Sequence, residues 1–161
     1  MRILPYINEE YTTTMTPSEL AEKLNQIVEP KQHWTRALFR KKRSKPFEGE
    51  VSDTSFEIRP IIRYRNSFIP IISGQVIAVD GGSIIKLEMK LHSFVKSFMV
   101  SWLGSLGIGV IWTIASMIQT LSFNPLIFFP MVMWLFGYFL VKKGFNHEAI
   151  PAQTTLADIF K

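Results

Sequence analysis

The sequence contains no cysteine, which removes disulfide scaffolds, thiol nucleophiles and cysteine-bound metals together. It has three histidines, His33, His92 and His147, and their spacing fits no metal-ligand pattern. No glycine-rich, phosphate-cradling loop is present, and Gly81-Gly82 reads as a hairpin turn. The paired acids Glu9-Glu10 and Glu48/Glu50 read as solvated positions, not as a general acid–base pair. Residues 1–8 carry one Arg and no sustained apolar run, so no signal peptide is expected there. The largest absence is of charge: 45 consecutive residues, 97–141, contain no Asp, Glu, Lys or Arg. All 18 basic and 13 acidic residues therefore fall in the remaining 116 positions. A soluble domain does not segregate its charge in this way. The pattern excludes an ordinary cytosolic enzyme, a disordered tail and a secreted disulfide-rich module.

What is present is membrane-like. The chain is 47% hydrophobic with a net charge of +5 and a mean hydropathy of +0.16. Forty-five residues of helix span ~68 Å, about twice the ~30 Å hydrocarbon thickness. That length predicts two crossings. The break is expected at 122–125, where Asn124 suits an N-cap and Pro125 the first helical position. The first helix is then expected over about 97–121 and the second over about 126–141. Lys86, Lys90 and Lys96 precede the pair, Lys142 and Lys143 follow it, and the turn carries no charge. The positive-inside rule puts both termini on the cytoplasmic side. Ser97, Ser101, Ser105 and Gly109 recur every four residues, with Thr113 continuing the series. Such a small-residue ridge allows close helix approach in lipid. It has two readings: bulky side chains of the second helix fill it, or it pairs first helices of separate copies. No charged or His residue lies inside the hairpin, which argues against a proton relay or ion-coupled transport.

The remainder predicts an α+β domain. Tyr11 to Met15 is rich in β-branched and aromatic residues. It is followed by Thr16-Pro17-Ser18-Glu19, a capping box that opens a helix carrying Leu20, Leu24, Ile27 and Val28. Period-two alternation then marks strands around Phe47–Val51, around Phe56, Ile58, Pro60, Ile62 and Tyr64, and around Ile85, Leu87, Met89 and Leu91. A further strand is expected over about 70–79. The expected fold is thus a membrane α+β protein, a cytoplasmic helix plus antiparallel meander with a two-helix transmembrane hairpin inserted near the C-terminus. The expected divisions are a cytoplasmic domain over 1–96 with a basic linker at 31–45, the hairpin over 97–141, and a tail over 142–161. In that tail Thr154 or Thr155 caps a short helix with Leu156, Ile159 and Phe160, which returns to cover the sheet.

Two basic groups are candidate sites. Lys31, Trp34, Arg36, Arg40, Lys41, Lys42, Arg43 and Lys45 lie together without an acid, interleaved with Leu38 and Phe39. Near a bilayer such a run attracts anionic headgroups by ~1 kcal/mol per basic residue. The same composition also fits a solvated linker or, less well at the inner leaflet, a nucleic-acid contact. The second group, Arg59, Arg63, Arg65 and Asn66, reads as one strand face able to hold phosphate or carboxylate, or as a face neutralised by Glu57 and Glu88 across the sheet.

The segments Pro46-Phe47-Glu48-Gly49, Tyr64-Arg65-Asn66-Ser67-Phe68-Ile69-Pro70, Gly74 and Lys90-Leu91-His92-Ser93-Phe94-Val95 resemble small bacterial membrane proteins with two transmembrane helices. That resemblance covers most of the chain and implies no activity. In architecture the chain also resembles anti-phage effectors that join a two-helix hairpin to a β-domain sensing a cyclic nucleotide, although there the hairpin comes first. The strand–helix–meander–helix order is similar to helix-grip lipid-binding domains. The function expected is a non-enzymatic, membrane-anchored binding or interaction module, with a ligand-gated, oligomerising effector as the alternative. No cofactor is expected. The expected partners are the membrane, through anionic lipid, and either a second copy of the chain or another protein; nucleic acid is not expected.

Overall fold

The structure, a computed structural model, describes residues 4–31 and 44–161. Its elements are β1 (Tyr6–Thr13), α1 (Pro17–Ile27), β2 (Val28–Pro30), β3 (Phe47–Val51), β4 (Ser55–Pro60), β5 (Pro70–Val79), β6 (Gly82–Leu91), α2 (Ser93–Thr120) and α3 (Phe128–Phe160). The strands form one sheet in the order β1-β6-β5-β4-β3-β2. Every neighbouring pair is antiparallel except β2 and β3, which run parallel with Val28 opposite Phe47. A parallel neighbour needs a crossover of a dozen or so residues, and the chain between Pro30 and Phe47 supplies that length.

Local chemistry accounts for most boundaries. The Thr16 hydroxyl accepts from the Glu19 N–H and the Glu19 carboxylate accepts from the Thr16 N–H at 2.8 Å, a complete capping box for α1. Gly81, with φ of 84°, turns β5 into β6, a conformation that glycine adopts without a Cβ penalty. Phe56 lies directly opposite Gly74 in the β4–β5 ladder, and its ring occupies the space that a Cβ on Gly74 would need. The inner face of the sheet presents Phe56, Ile58, Ile72, Val76, Ile85, Leu87 and Met89 to the core. Leu20 and Leu24 of α1 reach the same core.

α2 and α3 are both long and apolar enough to cross a membrane, and only 11% of the most apolar window of each is buried. Those apolar windows are therefore left mostly uncovered by the rest of the protein. Apolar side chains such as Ile108, Trp112, Ile118, Phe129, Val132 and Phe136 are mostly exposed. The connection falls where expected. Leu121 adopts the left-handed conformation, Asn124 accepts from the Leu126 N–H at 3.0 Å, and Pro125–Ile127 form one 3-10 turn before α3 begins.

Three expectations need correction. The second apolar helix does not end near Val141 with a separate tail helix after it. α3 is continuous for 33 residues through Pro151. Its buried positions Val141, Phe145, Ala149, Ala152, Leu156 and Phe160 form one helical stripe that packs on the sheet. The tail does cover the sheet, as part of that same helix. Second, the strand read through Tyr64 stops at Pro60. Its partner β3 starts at Phe47, opposite Pro60, so the chain beyond has no ladder to continue. Third, Glu9 and Glu48 are not freely solvated. Glu9 alternates onto the inner face of β1 beside Tyr11 and accepts from Gln153 Nε2 of α3 at 2.6 Å. Glu48 is buried and accepts from Arg59 Nε at 2.5 Å.

Candidate functional site: the joint between sheet and hairpin

β6 passes into α2 through His92 alone, whose Nδ1 accepts from the Phe94 N–H at 3.2 Å. Leu91 is opposite Pro70, and Phe47 is opposite Pro60. The hairpin therefore leaves from the end of the sheet that also carries the start of β3 and the 61–69 connection. That connection wraps α3 one turn beyond the charge-free stretch. The Tyr64 hydroxyl donates to the Glu148 carboxylate, and Asn66 Nδ2 donates to the Gly144 carbonyl at 2.9 Å and to Glu148 at 3.2 Å. Asn66 Oδ1 in turn accepts from the Phe68 N–H at 2.9 Å. The Phe68 ring lies so close to Gly144 that a Cβ there would approach it to 2.7 Å. Glu148 is 8% exposed, and among the described residues its carboxyl accepts from two donors and forms no salt bridge. The hydrogen bond it accepts from the phenol raises the Tyr64 pKa. This is a built joint: a short glycine gap, an aromatic plug and a buried carboxylate with its hydrogen bonds satisfied.

A cavity of ≈ 670 Å³ opens beside the joint, between Arg65, Phe68, Phe136, Phe139, Leu140 and Lys143, with His147 at its rim. A smaller one of ≈ 300 Å³ lies on the other side of α3, between Tyr6, Tyr138, Lys142 and Phe145. Lys142 also sits 5.9 Å from the centre of the Tyr138 ring, within the range of a cation–π contact.

The residues singled out from the sequence separate. Arg59 pairs with Glu48 on the outer face of the sheet, whereas Arg63, Arg65 and Asn66 lie in the connection, with Arg63 and Arg65 exposed. The four do not share a strand face. Asn66 is occupied in holding α3. Trp34, Arg36, Arg40, Lys41, Lys42 and Arg43 lie outside the described residues. Lys45 is described, and its ammonium donates to the carbonyls of Asn25 at 2.5 Å and Val28 at 3.1 Å, satisfying the open C-terminus of α1. Lys31 donates to Glu57 at 3.0 Å, and that bond raises its pKa.

The ridge Ser97, Ser101, Ser105 and Gly109 does not receive α3. The serines are exposed, and a Cβ added at Gly104, Gly107 or Gly109 would meet nothing within 4 Å. The two helices approach instead where Gly137 of α3 faces Trp102 and buried Leu103.

Sequence reasoning missed Tyr64, Gly144 and Glu148 as one unit, since they are brought together only by folding. It also missed the Glu9–Tyr11–Gln153 group under α3. Burial, then the neighbouring Glu9 carboxylate, push the Tyr11 pKa up to about 12. Among the described residues, no three His, Asp or Glu side chains come together as metal ligands. No family model, curated protein or solved structure matches the chain.

Proposed function

We propose that this protein is a non-enzymatic, inner-membrane-anchored binding or interaction module, with its β-domain held in the cytoplasm against the membrane surface. The observation that carries this reading is the continuity of α3. One helix supplies both an outward-facing apolar stretch, including Phe128, Phe129, Val132 and Phe139, and the buried stripe from Val141 to Phe160 that packs on the sheet. Exposed apolar helix faces of this extent require lipid. With lipid around them, the joint fixes the sheet within one helical turn of the headgroups. Lys45 precedes β3 at the same end of the sheet, where a basic residue would lie near anionic headgroups. Both termini are cytoplasmic on this reading. Topology reporters fused to the N-terminus and after Lys161 should both report cytoplasm, and the chain should resist alkaline extraction from membranes. A periplasmic terminus, or release by alkali, would overturn the anchoring model. Affinity purification in mild detergent should then recover a stoichiometric protein partner.

A second reading, an effector whose hairpins oligomerise and perturb the bilayer, draws on the ridge of α2 that α3 leaves open. Replacing Ser105 and Gly109 with Leu keeps the helix apolar while blocking close approach. For an effector, crosslinked oligomers and growth arrest on expression should vanish together. A wild-type chain that is monomeric in detergent and in bilayers excludes it.

A further inference from the structure

We propose that the cavity beside the joint is a seat for a single anionic phospholipid, whose phosphate lies between Arg65 and Lys143 and whose upper acyl chain lies along Phe136, Phe139 and Leu140. This rests on the membrane-anchored reading above, and adds a discrete ligand site to it. Three observations carry it. The walls are divided by chemistry: on α3 the apolar side chains Phe136, Phe139 and Leu140 come before Val141 and Lys143 lies beyond it, while the facing connection supplies Arg65 and the Phe68 ring. A lipid inserted at that level would meet the same division along its own length. Both cations are available, since among the described residues neither Arg65 nor Lys143 forms an ion pair. The nearby acid does not compete, because the Glu148 carboxylate is taken up by Tyr64 and Asn66 and does not line the cavity.

The size also fits. At ≈ 670 Å³ the cavity has the volume of a typical small-molecule site, enough for a headgroup, glycerol and the first part of one chain, with the rest remaining in the bilayer. Basic pockets at the cytoplasmic ends of transmembrane helices hold anionic headgroups by the same means. The joint preorganises the seat. Asn66 ties the connection to Gly144, and Phe68 plugs against it, so Arg65 is carried on a backbone already bound to α3.

The test uses the purified full chain in mild detergent, titrated with short-chain phosphatidylglycerol, short-chain phosphatidylcholine or glycerol phosphate, with affinities read from the rise in thermal midpoint. Phosphatidylglycerol should bind about 30-fold more tightly than phosphatidylcholine, and glycerol phosphate should give no shift at the same concentration. Arg65→Gln with Lys143→Gln should remove that preference; both side chains are exposed, so the lipid-free midpoint should not move. Lys41→Gln with Lys42→Gln should retain it. Equal binding of the two lipids, an undiminished preference in R65Q/K143Q, or a full response to glycerol phosphate overturns the seat. Alkaline washing of membranes separates the two levels of failure. Release of the wild-type chain defeats the anchoring model itself, whereas a retained chain with no lipid preference defeats only the seat.

Discussion

Phe160 is the last residue of α3, and its substitution by Ala is the most direct test of whether that helix is part of the domain. The ring is 2% exposed. Its centroid lies 5.3 Å from that of Tyr11 and 6.3 Å from that of Phe56, so it bridges strands β1 and β4, which are separated in the sheet by β6 and β5. Truncating a buried Phe to Ala costs about 3–5 kcal/mol. The final turn of a helix can relax more readily than its middle, which favours the lower end, about 3 kcal/mol. For a domain of this size that lowers the thermal midpoint by on the order of 10 °C. Phe160→Leu keeps most of the volume and should lose less than about 1.5 kcal/mol.

A second readout comes from Tyr11. Burial is the first cause of its raised pKa, and the Phe160 ring is part of what buries it. In the Phe160→Ala variant water reaches the phenol, so its ionisation, followed by absorbance near 295 nm, should move down from about 12 towards the ordinary 10. The measurement is thermal unfolding of the detergent-solubilised chain followed by near-ultraviolet circular dichroism, together with that titration. A variant that melts within about 1 °C of the wild type and leaves Tyr11 titrating as before would show that the end of α3 does not rest on the sheet.

Gly74→Val should destabilise the sheet by about 1–3 kcal/mol, because its side chain would enter the space filled by the Phe56 ring; a melt no lower than wild type would contradict the β4–β5 register. Tyr11 gives an alkaline prediction whose sign is fixed. A folded-state pKa raised above the unfolded one stabilises the fold fully below about pH 10 and loses that contribution as pH rises towards about 12. Tyr11→Phe should therefore show a shallower loss of stability across that window than the wild type, and identical pH profiles would refute the assignment.

The sequence was legible where a local rule and the tertiary outcome agree. The strand over 70–79 and the Thr16–Glu19 capping box emerge as expected, and Asn124-Pro125 separates the apolar helices. It was opaque where a partner elsewhere decides. Val28–Pro30 has no period to read in three residues and becomes a strand only beside β3. The middle of β1 carries Glu9 and Glu10, which look solvated until Gln153 arrives from α3 to bond Glu9. Lys142 and Lys143 read as the flank that ends the second apolar helix. Yet the stripe Val141, Phe145, Ala149, Ala152, Leu156 and Phe160 was present in the sequence at helical spacing, and needed only a sheet to pack on. The candidate site was the least legible, because Tyr64 and Glu148 are 84 positions apart and the basic connection shares no strand alternation with Arg59.

The joint bears on how the domain is held. Two chain connections link the sheet to the hairpin, and neither is a flexible linker. One is the single residue His92, itself the N-cap of α2. The other is α3, whose backbone continues from the hairpin into the core without interruption at Val141. Tilting the hairpin against the sheet near Gly144 would have to expel Phe68 and break the hydrogen bonds of Asn66 and Tyr64 to α3. The weaker point in the helix is Pro151, which cannot donate the backbone bond to the carbonyl four residues earlier, and that point lies on the far side of the joint, where the stripe continues through Ala152, Leu156 and Phe160. Bending there would move the end of the helix on the sheet and leave the angle between hairpin and domain unchanged. On the anchoring proposed above, a domain fastened in this way would be a platform of fixed orientation, with its charged outer sheet face and the 61–69 connection held at a set height above the lipid. This favours recognition of something that also lies in the plane of the membrane over capture of partners by a domain swinging on a tether.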